Sequence, residues 1–77
     1  MVLKVISAED ILFQGETDSV ELPGAEGAFT VLKNHASIIS TLTPGKIVYT
    51  QSGAKKEIEI EGGVVDVDNN IVSVCIY

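Results

Sequence analysis

Apolar and polar residues alternate along most of this chain with a period of two, the spacing of strands that bury one face. In residues 2–7 Leu3 and Val5 flank Lys4, Ala8-Glu9-Asp10 breaks the run, and Ile11-Leu12-Phe13-Gln14 resumes it up to Gly15. That predicts two short strands around a tight turn. Residues 17–22 put Val20 and Leu22 on one face and Thr17, Ser19 and Glu21 on the other, and the run stops at Pro23-Gly24. Residues 28–32 predict a further strand with Phe29 and Val31 on one face, before Lys33-Asn34-His35-Ala36 interrupts. Ile38, Ile39 and Leu42 fit a helical turn as well as a strand, so residues 37–42 are open between the two. Thr43-Pro44-Gly45 then predicts a type II turn, with Pro and Gly at its central positions.

Residues 46–61 predict a hairpin. With Gly53-Ala54 as a two-residue loop, Tyr49 faces Ile58 and Ile47 faces Ile60. The opposite face then pairs Thr50 with Glu57, Val48 with Glu59 and Lys46 with Glu61, a solvated arrangement whose ion pair is worth about 1 kcal/mol at most. Gly62-Gly63 predicts a bulge or a bend before Val64-Val65-Asp66-Val67, Asp68-Asn69-Asn70 the last turn, and residues 71–77 a closing strand with Val72, Val74 and Ile76 on one face. About nine short strands and no segment of 3.6 periodicity predict an all-β sandwich or flattened barrel. Residues 1–77 read as a single domain without a linker.

Composition sharpens this picture. The chain has 77 residues, 45% of them hydrophobic and only 5% aromatic, so the core must be built from Val, Ile and Leu. A domain this small buries only about 60% of its unfolded surface. Cys75 is the only cysteine and has no partner for an internal disulfide, which points to a reducing compartment. With no basic leader and no apolar run approaching about 18 residues, the expectation is a cytosolic, non-spanning chain. The net charge of −6 disfavours nucleic acid and anionic lipid surfaces as partners and favours protein.

Candidate chemistry is sparse. Residues 22–45 hold both prolines and His35, the only histidine, and are the first place to look. A turn histidine whose ring packs on a neighbouring strand or bonds a carbonyl, an interface contact and a catalytic group are the three readings of His35. Without a flanking acid pair or a Gly-x-Ser-x-Gly elbow, catalysis is the weakest of them. Asp66, Asp68 and Asn70 have the spacing of the first EF-hand ligands, but Ile71 stands where the loop needs Gly and Tyr77 where it needs Glu. One Cys and one His do not suffice for zinc. Gly24 and Gly27 flank Ala25-Glu26 with no Lys-Ser/Thr after them, which rules against phosphate binding. Glu57, Glu59 and Glu61 read as a solvated outer face. No cofactor, metal or catalytic residue is expected.

Leu22-Pro23-Gly24-Ala25-Glu26-Gly27, Asn34-His35-Ala36, Leu42-Thr43-Pro44-Gly45, Glu61-Gly62-Gly63-Val64-Val65-Asp66-Val67 and Asn70-Ile71-Val72-Ser73-Val74 occur in this order. Together with Val5-Ile6-Ser7-Ala8-Glu9 and Phe13-Gln14-Gly15-Glu16, they resemble the N-terminal β-sandwich of the epsilon subunit of F-type ATP synthases (delta in mitochondria). The resemblance spans the whole chain. It implies two packed sheets of about ten strands at the foot of the rotor, on the cytoplasmic face of the bacterial inner membrane. It also implies a non-catalytic central-stalk subunit that couples proton flow to ATP synthesis. The implied partners are the gamma subunit and the c-ring, with membrane contact only through the complex and a monomer when isolated.

By the same resemblance, the c-ring contact maps to Glu26, Gly27, Ala28 and Phe29, and the gamma contact to Lys33, Asn34, His35, Ala36 and Leu42. Ala28 stands where the family often has an acid, Lys33 and Ser37 replace the usual prolines around the His turn, and Val64 replaces an aromatic. Family members usually continue into a helical hairpin with inhibitory and ATP-sensing roles. If the 77 residues are the whole protein, those roles are expected to be absent. The alternative is a free-standing acidic carrier or adaptor of lipoyl-domain size, for which Lys55 or Lys56 near the hairpin turn would have to be modified.

Overall fold

Val, Ile and Leu at alternate positions give each segment one face that must leave water, and two such sheets packed face to face satisfy all of them at once. The computed structural model describes all 77 residues and consists of strands joined by turns. The strands are β1 (Val2–Ile6), β2 (Ile11–Glu16), β3 (Ser19–Leu22), β4 (Phe29–Leu32), β5 (Ile38–Leu42), β6 (Gly45–Gln51), β7 (Ala54–Ile60), β8 (Gly63–Asp68) and β9 (Ile71–Ile76). One sheet has the order β2-β1-β9-β8-β5 and the other β4-β3-β6-β7. All neighbours are antiparallel except β1 and β9, which run parallel.

The core is a thin layer of thirteen buried side chains drawn from both sheets. Leu3, Val5, Leu42, Val65, Val67, Val72 and Val74 meet Val20, Leu22, Val31, Ile47, Tyr49 and Ile60. One of the rare aromatic contacts also links the layers. The Phe13 ring of β2 packs on the Tyr49 ring of β6 with centroids 4.5 Å apart and planes tilted by 38°.

Residues 37–42, open between helix and strand in the sequence, resolve as β5, antiparallel to β8. Pairing with an already hydrophobic strand settles what a short apolar run leaves ambiguous. Gly62-Gly63 does redirect the chain, carrying it from β7 in one sheet to β8 in the other. A Cβ on Gly63 would collide with the Cys75 carbonyl oxygen, so only glycine lets β8 and β9 approach there.

Three local expectations are corrected. The hairpin turns at Ser52-Gly53 and not at Gly53-Ala54, so the register is Gln51 with Ala54, Tyr49 with Lys56, Ile47 with Ile58 and Gly45 with Ile60. Both turn residues are left-handed, at φ 49° and 82°, which suits the twist of the flanking strands. The slip is two residues on one strand, so each side chain keeps its face. Lys46 lies opposite Glu59 and forms its ion pair diagonally with Glu57 at 3.4 Å, not with Glu61. Secondly, Gly45 is not at positive φ and opens β6, so Pro44-Gly45 is no type II turn. Its lack of a side chain matters for space, since a Cβ there would lie 3.0 Å from the Pro23 Cβ. Thirdly, Thr17 is buried instead of solvated. Its N–H and hydroxyl both donate to the Met1 carbonyl, at 2.8 and 3.3 Å, where the chain passes between the sheets.

With so few core side chains, each one carries a large share of the stability. Leu3→Ala, at a fully buried site, is expected to lose about 2–5 kcal/mol. Ile39→Ala, at a site 74% exposed, should change stability by less than about 0.5 kcal/mol. Urea denaturation of the two variants checks the contrast.

Candidate functional site

Strand direction places the expected contact residues before any side chain is considered. The chain crosses between sheets at residues 17–18, 33–37, 43–44 and 61–62, and every strand runs from one end of the sandwich to the other. The loop of residues 23–28 therefore lies at one end, with residues 7–10, 43–44 and 61–62. The turn of residues 33–37 lies at the opposite end, with residues 17–18, 52–53 and 69–70. β4, four residues long, separates loop from turn by about 13 Å of strand.

The loop is stapled to the end of β5. The Ala25 N–H donates to the Thr41 carbonyl at 2.9 Å, the Thr43 N–H and hydroxyl donate to the Pro23 carbonyl at 2.9 and 3.2 Å, and Gly24 bridges Leu42. Inside the loop the Gly27 N–H reaches the Gly24 carbonyl at 3.0 Å. Gly24 is needed for closeness: a Cβ there would sit 2.7 Å from the Gly27 carbonyl oxygen and 2.8 Å from the Phe29 ring. Gly27 is needed for its φ of +129°. What the loop presents outward is Glu26, Gly27 and Ala28, while Phe29 is half-buried and packs against the core.

The turn is held by a polar clasp to the β8–β9 turn. The Asn34 N–H donates to Asn70 Oδ1 at 2.6 Å, and Asn70 Nδ2 donates back to Asn34 Oδ1 at 3.1 Å. The Ser37 hydroxyl donates to Asp68 Oδ1 at 2.7 Å. Asn34, Asn69 and Asn70 are all left-handed, at φ 65°, 53° and 62°, a conformation that asparagine tolerates better than most residues. His35 is exposed, and its Nδ1 donates to the Ala36 carbonyl oxygen at 2.6 Å. The ring thus satisfies a turn carbonyl and bonds no carboxylate or hydroxyl, the partners a catalytic histidine would need. The Asp66, Asp68 and Asn70 series does not converge on a cation either, since Ser37 and Asn34 occupy oxygens of the last two.

The structure brings Lys33, Asn34, His35 and Ala36 together on one exposed turn. It does not bring Leu42 to them. Leu42 is 5% exposed, belongs to the core and lies at the other end of the sandwich beside Gly24, because β5 carries the chain back across the molecule. The clasp itself had no sequence warrant beyond an excess of asparagine in the two turns. Its two halves are 36 residues apart.

Comparison with known proteins gives the following. The family described as ATP synthase, Delta/Epsilon chain, beta-sandwich domain matches residues 1–76. The chain is 43% identical over 72 residues to the ATP synthase epsilon chain of Leptospira borgpetersenii serovar Hardjo-bovis, covering 94% of this chain and 57% of that one. It is 39% identical over 70 residues to the ATP synthase epsilon chain of Rhodopseudomonas palustris strain BisB5, covering 91% and 52%. The chain thus spans about half the length of the curated relatives it matches. Its fold superposes with TM-score 0.91 at 22% identity on a chain of the Euglena gracilis mitochondrial ATP synthase OSCP/F1/c-ring structure, covering 99% of this chain and 49% of that one. A chain of the Tetrahymena thermophila mitochondrial ATP synthase central stalk/c-ring structure gives 0.81 at 11% identity, covering 97% and 61%.

The clasp can be tested without disturbing the backbone. Asn70→Gly keeps the left-handed turn and deletes both Asn34 contacts, and is expected to cost about 1 kcal/mol. Asn70→Ala should cost about 1 kcal/mol more, because alanine also resists that φ. Amide hydrogen exchange at Asn34 should quicken in both variants.

Proposed function

This chain belongs to the ATP synthase delta/epsilon β-sandwich family, and from that membership we propose that it acts as a non-catalytic, epsilon-type subunit of the central stalk. In this reading it binds gamma at one end and the c-ring at the other, so that proton translocation stays coupled to ATP synthesis. The observation that carries the proposal is geometric: the two candidate contact elements stand at opposite ends of a single sandwich with one shared core. A body of this kind passes force between two partners because its close-packed interior yields little.

At the ring end, Glu26 is the acid available in the loop, since the next outward side chain is Ala28. A single carboxylate at the rim of a contact steers and orients a basic partner more than it adds affinity. Phe29, half-buried beneath the loop, and Leu42, buried beside Gly24, support this end from inside. At the gamma end, Lys33, Asn34, His35 and Ala36 form the exposed contact, with the asparagine clasp fixing their shape. Residues 1–77 work as one domain, and the isolated chain, at net charge −6, stays monomeric. No helix is long and apolar enough to cross a membrane. The proposed location is peripheral, on the cytoplasmic face of the bacterial inner membrane, held there by gamma and the ring.

The carrier alternative loses its main requirement. The hairpin tip is Ser52-Gly53, while Lys55 and Lys56 lie on β7 opposite Thr50 and Tyr49. An intact mass equal to that of the unmodified sequence would remove it.

Co-purification with gamma under conditions that assemble the enzyme is the first test, and a chain that fails to bind gamma there contradicts the proposal. His35→Glu is expected to weaken gamma retention by about tenfold, the loss typical of a well-packed interface position. Glu26→Lys should leave gamma retention unchanged and reduce ATP-driven proton pumping in membrane vesicles that carry the reconstituted enzyme.

A further inference from the structure

The turn of residues 33–37 holds its histidine in one defined state. Asn34 is clasped by Asn70, Ser37 is tied to Asp68, and between them the His35 N–H donates to the Leu32 carbonyl at 3.1 Å. The ring is fixed as well, because Nδ1 lies 2.6 Å from the Ala36 carbonyl oxygen. A carbonyl oxygen can only accept, so Nδ1 carries the proton.

That bond decides the state of the other nitrogen. In a neutral imidazole one nitrogen donates and the other accepts, so with the proton on Nδ1 the Nε2 atom holds a lone pair. Nε2 has no partner within the chain, and His35 is exposed. The turn therefore offers an acceptor whose orientation is set before any partner arrives, which lowers the cost of binding. The charged groups around the ring are Lys33, two residues earlier on the same turn, and Asp68, which shares its hollow from the β8–β9 turn. Lys33 disfavours a cationic donor, and Asp68 already accepts from Ser37.

We propose, on the basis of the gamma contact above, that gamma presents an uncharged N–H or O–H donor to His35 Nε2, and that only the neutral ring can receive it. A second proton on the ring would turn Nε2 into a donor, set two donors against each other and add a charge to a surface that is leaving water. Histidine side chains gain that proton between about pH 8 and pH 5. A partner that takes only the neutral form loses apparent affinity in proportion to the fraction still neutral. Gamma retention therefore falls as the pH falls.

The test has two parts. Ring nitrogen shifts of the isotope-labelled free chain, read by NMR at about pH 7.5, are expected to place the proton on Nδ1. A proton on Nε2 overturns the proposal without reference to gamma. Retention of purified gamma is then compared at about pH 7.5 and about pH 5.5, and for the wild-type chain it is expected to weaken about tenfold at the lower value. His35→Gln keeps an amide oxygen as acceptor and does not titrate. It should recover most of the retention that His35→Ala loses, and should lose the dependence on pH. Lys33 and Asp68 are intact in that variant, so a pH dependence that arises from them or from gamma would persist in it and overturn the proposal. Retention by His35→Ala equal to that of the wild type would overturn it too. No retention of gamma by the wild-type chain at either pH would overturn the gamma contact itself, and the proposal with it, while leaving the tautomer result standing.

Discussion

Everything in this structure depends on burying a small set of aliphatic side chains between two sheets. With 5% aromatic residues and 77 positions, the chain cannot support a thick core, and thirteen side chains have to close it. The strands are therefore short and the chain moves repeatedly from sheet to sheet. Each crossing is tight and lies at one end or the other of the sandwich, which gathers the loops into two opposed groups. The two-ended character on which the functional reading rests is thus a consequence of how the core is closed.

The alternating pattern made the strands legible. Leu3 and Val5, Val20 and Leu22, Val65 and Val67, and Val72 and Val74 all occupy the buried face that period-two spacing assigns to them. Register was less legible, because a hairpin shifted by two residues preserves every face. The two registers differ in which pair of residues forms the turn, here Ser52-Gly53 with both left-handed, and alternation does not reveal that. Thr17 escaped for a related reason: it sits in a crossing between sheets, where the alternation that assigns faces along a strand no longer applies.

The candidate contacts were legible in part. Glu26 to Ala28 and Lys33 to Ala36 are exposed, but Leu42 is a core residue at the Gly24 end, buried by the return of β5. The family resemblance groups it with His35, and a single five-residue strand separates them. The asparagine clasp was invisible for a different reason: it joins two turns 36 residues apart in the chain and leaves no local motif. The single histidine, which drew attention as possible chemistry, is spent on a turn carbonyl.

The central claim is that the two ends of one sandwich meet two different partners. Photo-crosslinking residues introduced singly at Ala28 and at His35, in the fully assembled ATP synthase, test it most directly. The account predicts that position 28 captures the c-ring and position 35 captures gamma, each without the other. Capture of the same partner from both positions, or of neither partner from either, would contradict it.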